Sequence, residues 1–229
     1  MAAPIEPAAA AADALAGTDG PILDPIDRVS EILFGLFMVL TFTGTLSVAT
    51  AGRDDVRTML IAAIGCNTAW GFVDAVMFVL RNLVGRGRRA TLLEVVRSAD
   101  AGQARRAIAD HVGPLSAGID AAGLERLRQW LVAQPAHELP RTTVTGQDLK
   151  AACAVFLLVF ASTFPVVLPF VFASDLGFAM RLSAAIAVAM MFYCGVVWGR
   201  YAGMKPWIAA LALALLGVVV EAVVIALGG

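Results

Sequence analysis

Apolar residues fall in five long runs, at about 32–50, 59–80, 151–173, 182–199 and 207–227, with one long polar stretch between the second and the third. A helix needs roughly 20 predominantly apolar residues to cross the hydrocarbon of a bilayer, so each run predicts a spanning helix. The polar stretch, Arg81 to Lys150, holds 18 of the chain's 35 Asp, Glu, Lys and Arg residues. Within it Leu92, Leu93, Val95 and Val96, then Ala104, Ile108 and Val112, then Leu124, Leu127, Trp130 and Leu131 recur at helical spacing. Gly113-Pro114 and Pro135 break that pattern into short helices. Thr145-Gly146-Gln147-Asp148 has the form of a capping box and marks the start of the third span. The expected fold is an all-α membrane protein: five transmembrane helices with a small helical cytoplasmic insert between helices 2 and 3. Its parts are a disordered tail (1–22), spans one and two (23–84), the insert (85–146) and spans three to five (147–229).

Composition agrees with lipid as the solvent. Hydrophobic residues make up 59% and charged residues 15% of the chain, whereas soluble domains carry about a quarter charged residues. The first twenty residues lack Lys and Arg, and so lack the basic start of a signal peptide. Cys66, Cys153 and Cys194 are isolated in three different spans and read as small apolar filler.

Basic residues set the orientation. With the insert in the cytoplasm, fourteen Lys and Arg fall inside and only three, Arg53, Arg57 and Arg181, fall outside. The positive-inside rule then places the N-terminus in the cytoplasm and the C-terminus outside, in an inner or plasma membrane.

Ionisable groups within spans are functional candidates by default. Asp74 shares a face of span two with Asn67 and Gly71. Asp24, Asp27 and Glu31 should stack at the start of span one, with Gly35, Met38, Thr41 and Thr45 continuing that face. Such a face would gather cations at its mouth and offer them hydroxyl and thioether ligands above. Glu221 lies in the outer half of span five, with Arg181 as its expected structural partner. Span three is interrupted by Pro165 and Pro169, following Ser162-Thr163. In the insert, Arg126 and Arg128 interleave with Leu124, Leu127 and Trp130, which suits an anionic lipid surface or packing inside a helical subdomain. Asp110-His111 and His137-Glu138 read as solvated surface.

The order of parts resembles the vacuolar iron transporter family: two spans, a cytoplasmic helical insert, a proline-broken third span and two more. Phe34-Gly35-Leu36, Gly71 and Pro165 through Pro169 are similar to that family's motifs. The resemblance implies a homodimer that exchanges Fe²⁺ or Mn²⁺ for protons, with no resident cofactor. Met38-Val39 replaces the family's Asp-Gly, Thr68 and Phe72 replace its Met and Glu, and the insert is rich in Arg rather than Glu. Asp74, two positions past the lost Glu, is the substitute this sequence offers.

Two functions follow. In the first, a divalent-cation transporter, Glu31 and Asp27 capture the ion. Asp74 carries ion or proton, Asn67, Met38 and Thr41 are neutral ligands, and Glu221 lies toward the outer side. In the second, a membrane protein that transports nothing uses its basic insert to dock a partner protein or anionic lipid. No Ser/His/Asp set, nucleotide loop or zinc motif points to an enzyme, and nothing points to nucleic acid.

Overall fold

The computed structural model describes residues 23–45, 52–134 and 142–227, and these form seven α-helices and one short 3₁₀ helix, with no strand among them. The helices are α1 (Pro25–Thr43), α2 (Arg53–Ser98), α3 (Ala101–Val112), α4 (Ala121–Ala133), α5 (Gly146–Phe172), α6 (Leu176–Tyr201) and α7 (Pro206–Ala226). The described residues fall into two compact units. One lies within Val79–Asp148, the other within Pro21–Phe78 and Leu149–Gly229.

Four helices, α2, α5, α6 and α7, are long and apolar enough to cross a membrane. Helix α1 misses that measure because Asp27, Arg28 and Glu31 lie among its 19 residues. It starts earlier than its apolar run, since Asp24 takes the N-cap position and Pro25 the first turn, where a missing N–H costs nothing. Its apolar face is nonetheless fully buried at Leu36, Val39 and Leu40.

The unit containing α1, α5, α6 and α7 is built on close backbone approaches. Helices α6 and α7 pair closely along their length. There Gly195 and Gly199 admit the α7 backbone: a Cβ on Gly195 would lie 2.5 Å from Ala210 Cα and 2.7 Å from Ala209 O. Lipid tails are as apolar as leucine, so helices in a bilayer associate through such van der Waals contact at small residues rather than by escaping water. Gly35 does the same for α1 and α5, since a Cβ there would come within 2.7 Å of Val159 O. On α2 the buried residues Met59, Ala63, Asn67, Gly71 and Ala75 recur every four positions and form one stripe.

The unit within Val79–Asp148 has its own small core: Leu92, Val96, Ala104, Ile108 and Leu131, with Leu124, Leu127 and Trp130 packed against it. The apolar residues of α4 are therefore packed against the core of this unit. The apolar run 59–80 and the periodic stretch 92–96, which the sequence separates, lie on one helix, because no proline interrupts residues 53–98. Helix α3 ends at Gly113, whose φ of 67° is costly for any residue with a side chain. The break expected at Pro135 lies outside the described residues.

Asp120 and Asp100 cap α4 and α3 through their side chains. Glu125 joins the two helices: it accepts from Arg128 at 2.7 Å and from Arg105 at 3.0 Å. Hydrogen bonds from Arg128 hold its carboxyl down, from 4.5 to about 2, with Gln129 and Arg105 acting in the same direction and partial desolvation opposing them. A depressed acid stabilises the folded form fully above its unfolded value and loses that contribution as pH falls through its folded value. Resistance of the insert helices to urea, followed by hydrogen exchange, is thus expected to decline between about pH 4.5 and pH 2. Glu125→Gln should remove that part of the pH dependence.

Candidate functional site

Asn67 is the centre of the only fully buried side-chain hydrogen bonds that link three helices among the described residues. It has no solvent exposure, and its Nδ2 donates to Gly35 O of α1 at 3.2 Å and to Thr163 Oγ1 of α5. The acceptor role of the Gly35 carbonyl fixes the amide orientation, because only the nitrogen can donate. Asn67 Oδ1 is consequently buried without a hydrogen-bond partner. Such an oxygen costs about 1–3 kcal/mol unless something polar reaches it.

The sequence brings these groups together through three local choices. Gly35 lets α5 approach α1, Gly71 packs against Phe156 and Val159 one turn beyond Asn67, and Ser162-Thr163 faces inward with both side chains buried. Ser162 Oγ donates to Val159 O at 2.7 Å in its own helix. Between the two prolines of α5, Ser183 of α6 donates to Val166 O at 2.7 Å. Helical spacing puts Glu31 one turn before Gly35 on the same face, and Glu31 is 7% exposed. A buried polar cluster thus joins Gly35 O, Asn67, Thr163 and Ser162, with Glu31 buried one turn before Gly35 on α1.

The other candidate residues are placed less centrally. Asp74 is half-buried at the flank of the α2 stripe. Asp27, Met38 and Glu221 are half-buried, while Thr41 is exposed with its hydroxyl donating to Phe37 O in the same helix. Thr45 likewise donates to Phe42 O, so the hydroxyl hydrogens of both are bonded within their own helix. Along the expected carboxylate face, Asp24 is exposed at the N-cap, Asp27 half-buried and Glu31 buried. Arg181 does not pair with Glu221, since the ion pairs among the described residues all lie within Val79–Asp148. No group of three or more His, Cys, Asp or Glu that could hold a metal ion is assembled among the described residues.

The structure also shows a site the sequence reading missed. The Thr145 capping box forms as expected, with Thr145 N donating to Asp148 Oδ2 at 2.8 Å and Asp148 N to Thr145 Oγ1 at 3.2 Å. Both Asp148 oxygens are also held by Arg86, each at 2.8 Å. Arg86 is one of several arginines in the polar stretch, and nothing in its spacing marks it as the partner of an acid 62 positions away.

The chain is therefore a helical, membrane-embedded protein whose described helices carry a polar node at the crossing of α1, α2 and α5. Comparison with protein families and with curated proteins yields no match.

Proposed function

We propose that this protein is an integral membrane transporter of a divalent cation, Fe²⁺ or Mn²⁺, coupled to protons, with α1 as a fifth span. In this reading it is a divergent relative of the vacuolar iron transporters and functions as a homodimer. Its insert and N-terminus lie in the cytoplasm of a cell with an inner or plasma membrane. The observation that carries the reading is the buried, unpartnered Asn67 Oδ1, with Glu31 buried one helical turn before Gly35, whose carbonyl Asn67 holds. Carbonyl and carboxylate oxygens are the donors that Mn²⁺ and Fe²⁺ accept, whereas Cu⁺ would require more sulfur. Glu31 would receive the ion, Asn67 would replace part of its water shell, and Asp74 would carry ion or proton beside them. Asp27, Met38, Thr41 and Glu221 have smaller parts, at the mouth or the margins.

The test is flux into liposomes loaded with a divalent-sensitive dye, under an imposed proton gradient. Wild type should exceed empty liposomes. Glu31→Gln and Asp74→Asn, which keep size and remove charge, should each lower the rate by about tenfold or more, as expected for scarce acids within spans. Equal flux in all three would remove these residues from the path. No flux above empty liposomes would end the transport reading itself. It would leave the second one, a non-transporting membrane protein whose insert docks a protein or anionic lipid. Exposed Arg81, Arg88 and Arg126 favour that alternative.

A further inference from the structure

The geometry points to a second site, unrelated to the polar node: a pocket for the phosphate headgroup of an anionic membrane lipid. Where α2 begins, α5 ends and α6 begins, there is a cavity of about 510 Å³. Val56, Leu60, Phe170 and Val171 give it apolar walls, and Arg57 and Ser174 supply the polar groups. Arg57 is the only ionisable residue among those described as lining it. Its guanidinium is exposed and takes part in no ion pair among the described residues.

The depth of this cavity is that of a headgroup. Arg57 is the last charged residue before the uncharged run 58–73 of α2, and residues 151–174 of α5 and its end are uncharged as well. The cavity therefore sits where hydrocarbon gives way to polar headgroups. A guanidinium there can take two phosphate oxygens at once, a geometry that ammonium cannot match. The apolar walls can take the first methylenes of an acyl chain, and the volume lies within the range of small-ligand pockets. The first turns of α2 and α6 line the same space, so their positive ends act in the same sense as Arg57. Asp54, Asp55 and Asp175 stand at these helix starts, but none lines the cavity. Asp55 and Asp175 are occupied in accepting from the amides of Gly52 and Phe178.

The experiment is native mass spectrometry of the full chain released from detergent, titrated with phosphatidylglycerol, with phosphatidylcholine and with inorganic phosphate. Phosphatidylglycerol should be retained in preference to phosphatidylcholine, and Arg57→Gln should weaken it about tenfold, the value of one charge-assisted contact. Arg181→Gln, outside the cavity, should leave it unchanged. Ser174→Trp keeps the charge and obstructs the space, and should also weaken retention. Unchanged retention in either Arg57→Gln or Ser174→Trp would overturn the proposal. So would displacement of the lipid by millimolar inorganic phosphate, which would mean that a free anion and not a lipid occupies the site.

Discussion

Gly195→Val is expected to separate α6 from α7 and to cost about 3 kcal/mol or more, at the upper end of overpacking penalties. The reason is the identity of the atoms in the way. A Cβ at Gly195 meets Ala210 Cα and Ala209 O, and backbone in a helix cannot rotate aside as a side chain can. Gly217 provides the control, because a Cβ there meets the thioether of Met191 at 2.5 Å. Methionine has three rotatable bonds and can adapt, so Gly217→Ala should cost about 1 kcal/mol or less. Unfolding in mixed micelles, followed by circular dichroism as the denaturing detergent fraction rises, measures both. Equal midpoints for the two variants would show that the α6–α7 contact is looser than the structure has it.

The second large effect is expected in the other unit. Arg86→Ala should destabilise the unit within Val79–Asp148 by about 3 kcal/mol, because it strands a buried carboxylate. Asp148 has a side-chain exposure of 5%, and Arg86 supplies two of its donors. Thr145 N and Oγ1 remain, and they are too few for a charge held away from water. Arg86→Lys should recover only part of the loss, since one ammonium cannot replace a planar fork. In a double-mutant cycle, Arg86→Ala should cost much less once Asp148 is already Ala, because no buried charge is then left behind. Hydrogen exchange within residues 142–150 and in α3 and α4 is the measurement. A loss confined to the residues around the capping box would limit the pair to a local cap.

The polar node was legible in part. The position of Asn67 on one face with Gly71 and Asp74 follows from helical periodicity, and burial of Asn67 and Gly71 agrees with it. Its partners did not follow. Gly35 and Thr163 lie 32 and 96 positions from Asn67, and a hydrogen bond over such separations depends on how three helices cross. The threonines of α1 show the opposite failure. Spacing alone put Thr41 on a useful face, yet its hydroxyl satisfies itself on Phe37 O, an option open to any threonine within a helix.

By itself the sequence determined that the chain is helical and membrane-embedded, and it marked the cap that starts α5. Each of these rests on local properties: hydropathy over about 20 residues, helical period, and a four-residue capping pattern. Only the tertiary structure decided the rest. It joined residues 59–80 and 92–96 into one helix, packed the α4 apolar residues against the core of their own unit, and paired Arg86 with Asp148. It also left Asn67 Oδ1 buried without a partner, and opened the cavity beside Arg57. These outcomes depend on which backbones can approach, set by Gly35, Gly195 and Gly199, and on which distant polar groups the approach then brings within reach.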